Sequence, residues 1–170
     1  MDYVGYAGRA AALLNSPLTH SDDLLALPVD GPRPGAEDLP VLAALRRDLL
    51  VVVTLAQNED LDRAADALND LLVAHRVVPQ VQLGDPTGRF TPSGATAAEL
   101  LTGQVLLGLA SLLLRPGRPR FGFCHGEGCT NVWVDTSPGA TRRFCSTRCS
   151  TRLHVAAHRA RTRSTRKAPR

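Results

Sequence analysis

The 170-residue chain has four cysteines, Cys124, Cys129, Cys145 and Cys149, arranged as Cys-x4-Cys, fifteen residues, then Cys-x3-Cys. Two close pairs joined by a loop suit zinc, which takes four soft or borderline ligands at the corners of a tetrahedron, with each sulfur about 2.3 Å from the ion. In a reducing compartment an even set of cysteines is better explained by metal or catalysis than by disulfides. A closed shell of four thiolates leaves no position for water, so the expected cofactor is one structural zinc ion. His125 adjoins a ligand and reads as a surface residue, while His154 and His158, four apart, read as solvent or phosphate contacts. Elsewhere the chain lacks a Gly-rich phosphate loop, a carboxylate pair with an evident acid or base partner, and a recognisable Ser/His/Asp arrangement. His20 and His75 read as surface or capping residues, and the expectation is a protein that is not an enzyme.

Short elements must carry these cysteines. Thr130 to Asp135 has strand character, Thr136-Ser137-Pro138-Gly139 has turn chemistry, and Thr141 to Phe144 is expected to return as the second strand of a hairpin. Ser146 is a good N-cap for a helix from Thr147 to about Arg163, a run without Pro or Gly. Cys149 then lies in the first helical turn, where the positive end of the helix dipole favours thiolate. Knuckle, hairpin and helix predict a treble-clef-like finger with Trp133, Phe121, Phe123 and Phe144 as a miniature core. So small a unit depends on its metal, which contributes on the order of 10–16 kcal/mol in zinc-finger peptides.

Charge divides the chain unevenly. Residues 1–114 hold 7 Arg against 14 Asp and Glu, whereas residues 115–170 hold 13 Arg and Lys against 2 Asp and Glu. The basic end predicts a polyanionic partner, with nucleic acid ahead of an anionic membrane surface. At 100° per residue, Arg148, Arg152, Arg159, Arg163 and Arg166 form one narrow stripe along the helix. Cys149, Leu153, Ala156 and Ala160 fall on the adjacent sector, expected to face the zinc core. Guanidinium forks match phosphate oxygens and the guanine edge, so the stripe points to double-stranded DNA. Arg142 and Arg143, with Arg115, Arg118 and Arg120, are expected to add backbone contacts. RNA is a weaker fit because aromatics that could stack on bases are few and committed to the core.

The remaining sequence reads as a mainly α domain with one small β-hairpin. Helices are expected over Tyr3 to Asn15, Leu39 to Gln57, Leu61 to Arg76 and Thr96 to Leu114, the last opened by a Thr96/Glu99 capping box. Val77 to Phe90, with turn residues at Gly84 to Gly88, predicts the hairpin. The run from Arg115 to Arg120, rich in Pro and Arg, separates residues 1–114 as a helical domain from the finger at 121–165, with a basic tail at 166–170. No apolar run is long enough to span a bilayer and no signal-peptide pattern opens the chain, so a cytoplasmic protein with no membrane partner is expected.

At the finger the chain resembles the CGNR zinc-finger family, bacterial proteins in which an N-terminal ABATE domain precedes a four-cysteine finger. The resemblance rests on Cys124, Cys129, Asp135, Arg142-Arg143-Phe144-Cys145, Cys149, Arg152 and the run from Val155 to Arg161. Ser150-Thr151 replaces the signature Gly-Asn. The resemblance implies a stress-linked transcription regulator, and the arginine stripe with the residues before Cys145 makes Arg142, Arg143, Arg148, Arg152, Arg159 and Arg163 the expected DNA contacts. Its N-terminal domain would be a small-molecule sensor or a homodimerisation module. Other readings of the same residues are a protein- or RNA-interaction module and a zinc–thiolate redox sensor.

Overall fold

The computed structural model describes residues 4–29, 31–83, 89–117, 119–153 and 155. The turn expected at Gly84 to Gly88, and Ala156, Ala160, Arg159, Arg163 and Arg166 of the C-terminal helix, lie outside them.

Helix α1 (Val4–Asn15) is followed by the single turn α2 (Asp22–Leu25), a 3-10 turn at Ala36–Asp38 and the long α3 (Leu39–Gln57). The 3-10 turn and the start of α3 thus occupy the end of the stretch rich in Pro, Gly and Asp between Pro28 and Pro40. Pro40 sits in the first turn of α3, where its missing N–H costs no helical hydrogen bond. Helix α4 (Leu61–Ala74) buries Ala64 and Leu68 while Asp62, Asp66 and Asp70 face outward. Strands β1 (Pro79–Gln82) and β2 (Arg89–Pro92) pair antiparallel with Pro79 opposite Pro92. Helix α5 (Ala97–Leu113) opens on the expected capping box: Glu99 N–H donates to Thr96 Oγ1 (3.2 Å) and Thr96 N–H to Glu99 Oε2 (3.1 Å).

The centre of the body is α5, which is apolar around nearly its whole circumference and buries Leu101, Val105, Leu106, Leu109 and Leu112. A helix of that kind belongs inside a bundle rather than on its surface. Helix α1 crosses it closely because Gly108 has no side chain; a Cβ there would stand 2.6 Å from the Tyr6 carbonyl carbon. Arg46 Nε on α3 donates to Leu14 O (3.0 Å), satisfying a carbonyl that the last turn of α1 leaves open.

The sequence pairs Thr130 to Asp135 with Thr141 to Phe144. Instead β4 (Val132–Val134) pairs antiparallel with β3 (Phe121–Phe123), and 141–144 forms no strand. The physical reason is visible in the backbone bonding: Arg142 N–H donates to the Asp135 side chain (2.8 Å), and Arg143 O accepts from His125 N–H (3.0 Å). The aromatic core is also placed differently. Phe121 is fully buried together with Val132 and Val134 in the cluster formed by the helices, with Phe123 packed against it, while Trp133 and Phe144 are half-buried. One hydrophobic core therefore runs across residues 115–120.

Two side-chain amides close the outer edges of this hairpin. Asn15, the last residue of α1, donates from Nδ2 to Val132 O (2.9 Å) and accepts Val132 N–H at Oδ1 (2.6 Å), standing in for a neighbouring strand. Gln57, the last residue of α3, accepts Phe123 N–H at Oε1. A two-stranded hairpin is marginal alone, and unpaired edge groups are costly once water is excluded. Among the described residues no helix is long and apolar enough to cross a membrane.

Val132 is 1 % exposed, so removing its partner leaves both peptide groups unmet. Asn15→Leu is expected to destabilise the zinc-loaded protein by roughly 1–3 kcal/mol for each unmet group, read as a shift in the denaturant midpoint. Unchanged stability would show that water replaces the amide.

Candidate metal centre

The four cysteine sulfurs converge. All lie within 4.8 Å of one another, and no His, Asp or Glu joins the cluster among the described residues. Cys129 Sγ is 3.7 Å from Cys145 Sγ, which is 3.7 Å from Cys149 Sγ. Sulfurs about 2.3 Å from a tetrahedral ion stand about 3.75 Å apart, whereas a disulfide requires about 2.05 Å. The donor set, spacing and coordination number all fit zinc.

Each ligand is delivered by a defined local structure. Cys124 follows β3, and its N–H donates to Asn131 O (2.8 Å), which prolongs the hairpin by one pair. The chain then turns so that Cys129 N–H reaches Gly126 O (3.0 Å). Gly126 is required by proximity: a Cβ there would stand 3.1 Å from Cys149 Cβ and 3.4 Å from Cys124 Sγ. Gly128, at φ +66°, supplies the left-handed residue of the same turn. Ser146 Oγ accepts Cys149 N–H (3.4 Å), capping helix α6, described over residues 147–153 and at 155. Cys149 lies in its first turn.

The thiols differ electrostatically. Burial pushes Cys124 up, but the N–H groups of Cys145 (3.3 Å) and Gly126 (3.4 Å) donate to its sulfur and bring it down to about 7. Burial, with the Cys124 sulfur beside it, drives Cys145 the other way, to about 12. Without metal the cluster therefore favours thiolate at Cys124 and keeps Cys145 protonated. A central dication reverses that preference by stabilising thiolate at every corner.

The aspartate after β4 organises the next loop. Asp135 is 3 % exposed and accepts from Ser137 N–H (2.9 Å), Ser137 Oγ–H and Arg142 N–H (2.8 Å). Burial raises its carboxyl, but these donors and the Arg120 charge hold it below the ordinary carboxylate value.

Arg142 departs from its expected use. Its guanidinium donates to Val134 O (3.2 Å), Phe144 O (3.0 Å) and Cys145 O (2.8 Å), so the side chain braces main chain instead of standing free for phosphate. Arg143, Arg148 and Arg152 are exposed and make no ion pair among the described residues; Arg159 and Arg163 lie outside them. Leu153, expected beside Cys149 on the zinc core, is 43 % exposed, so among the described residues of α6 the packed part is the first turn. Ser150 Oγ–H donates to Thr147 O (2.9 Å), which uses the hydroxyl within the helix at the signature position. Asn15 and Gln57 were not legible as partners of the finger, since they lie 117 and 66 residues from the groups they bind.

Fold and site together define a mainly helical protein with a four-cysteine zinc finger at its C-terminal end. Residues 120–162 match the family model for the CGNR zinc finger, and all four cysteines lie inside that match. No curated protein matches the chain. The match and the sulfur geometry assign one structural zinc ion to Cys124, Cys129, Cys145 and Cys149.

Because the hairpin shares its core with the helices, zinc removal is expected to lower the unfolding midpoint of the whole chain. At free zinc a hundredfold above Kd the contribution is about 2.7 kcal/mol. Thermal melts followed by helical circular dichroism, with and without chelator, measure it; an unmoved helical transition contradicts the shared core. Proton competition gives the pH direction. Zinc affinity falls as pH drops, and the fall steepens below about 7, where Cys124 too becomes protonated.

Proposed function

We propose that this protein is a zinc-dependent DNA-binding transcription regulator, in which a treble-clef-like finger holds α6 against double-stranded DNA. The observation that carries this reading is the trio Arg143, Arg148 and Arg152, exposed beside the zinc site and, among the described residues, without carboxylate partners. Arg148 and Arg152 are four apart and share one face of α6. Of the two acidic residues in 115–170, Asp135 is buried in hydrogen bonds, leaving Glu127 exposed. The surface next to the metal is thus strongly cationic. Its arginines suit phosphate oxygens and guanine edges. Arg142 is left out of the proposed contact set because its donors hold the finger together, and Arg159 and Arg163 extend the stripe by sequence.

The helical part supplies the regulatory half of the proposal. A cleft of about 1260 Å³ opens between the β1–β2 hairpin, the end of α4 and the start of α5, with His75, Arg76, Thr91, Glu99 and Gln104 on its walls. The polar groups on these walls, among them His75, Arg76 and Glu99, support a polar small-molecule ligand there.

Duplex binding by the zinc-loaded protein measured over a range of salt tests the reading. Five arginines each neutralising one phosphate give log K against log salt a slope of about −4.5. Arg148→Ala and Arg152→Ala are each expected to make the slope shallower by about 0.9, and chelation to abolish binding. Binding that survives zinc removal, or that is insensitive to salt, would overturn it.

A further inference from the structure

We propose that Arg142 is a positioning residue of the zinc site, a clasp fixed by Asp135 that sets Cys145 and the start of α6 relative to β4. The inference rests on the zinc assignment and not on DNA binding. Nine residues separate Asp135 from Cys145 along the chain, and within 141–144 no strand pairing holds them in register. The guanidinium spans that gap. Nη1–H donates to Val134 O at the end of β4 (3.2 Å), Nε–H to Phe144 O (3.0 Å) and Nη2–H to Cys145 O (2.8 Å).

The peptide groups around the third ligand are therefore held in two directions. Cys145 N–H points at Cys124 Sγ (3.3 Å), while the Cys145 carbonyl is bound by Arg142. With both groups engaged, the main chain on either side of Cys145 has little freedom to rotate its Sγ out of the cluster. Asp135 supplies the anchor by accepting Arg142 N–H (2.8 Å), and its own backbone is tied down because Asp135 N–H donates to Arg120 O (2.7 Å). Arg120 closes the far side of the loop through Nη1–H to Ser137 O (2.6 Å).

Three donors in one plane reaching three carbonyls is geometry that a guanidinium provides and an ammonium does not. Outer partners of metal ligands typically alter metal affinity by about 10–100-fold when lost. The hairpin edges are held by Asn15 and Gln57, so the clasp continues a connected set of contacts from α1 and α3 through β4 to Cys145.

The test uses the full chain and compares R142K, R142A and D135N with R143A, which removes an equal charge from an arginine free of such contacts. Zinc affinity is read by competition with a chelator, and site geometry by the visible ligand-field bands of the cobalt(II)-loaded protein. R142K, which keeps the charge, is expected to bind zinc at least about tenfold more weakly and to shift or broaden the cobalt bands. R142A and D135N are expected to move in the same direction, and R143A to stay within about twofold of the parent. An R142K protein with parental affinity and parental cobalt bands overturns the proposal, as does an R143A loss equal to that of R142A. If R142A does not fold, R142K and D135N decide the matter, since both retain nearly the original side-chain volume. A parent chain that shows no tetrahedral cobalt spectrum would instead refute the zinc assignment itself.

Discussion

Four sulfurs crowded to within 4.8 Å form an arrangement that thiols or thiolates do not maintain by themselves. Thiolates at that spacing repel one another, and protonated thiols gain little from weak S–H donors. A dication at the centre converts the repulsion into the strongest local interaction in the finger. Other features serve that convergence: Gly126 leaves room for two sulfurs, Ser146 caps the helix that carries Cys149, and N–H groups aimed at Cys124 keep it ready to ligate.

The finger is also part of a larger body. Phe121, Val132 and Val134 lie in one buried cluster with the helices, and two amide side chains at helix ends replace the missing strands on either edge of the hairpin. Consequently the metal site, the hairpin and the helical bundle have a defined relation, with no free hinge between them at the hairpin.

Periodicity and caps made the helices legible. Leu39–Gln57 matches the expected span, and the Thr96/Glu99 capping box opens α5 as its residues suggest. Ligand spacing likewise sufficed for the four cysteines, because metal geometry restricts the chain so strongly. What the sequence concealed depends on distant contacts. Thr141 to Phe144 has strand-forming residues, yet a carboxylate at Asp135 captures its backbone and leaves β3 as the partner of β4. Arg142 reads as a surface cation by composition, and only the placement of three carbonyls around it shows that it holds the fold. Asn15 precedes Ser-Pro and reads as a helix stop; its second use at Val132 has no local signature.

Zinc-edge X-ray absorption on the 170-residue chain tests the central claim most directly, since it counts and ranges the atoms bound to the metal. A zinc–thiolate centre made by Cys124, Cys129, Cys145 and Cys149 gives four sulfur scatterers at about 2.3 Å and no lighter neighbour. A first shell containing nitrogen or oxygen at about 2.0–2.1 Å would contradict it.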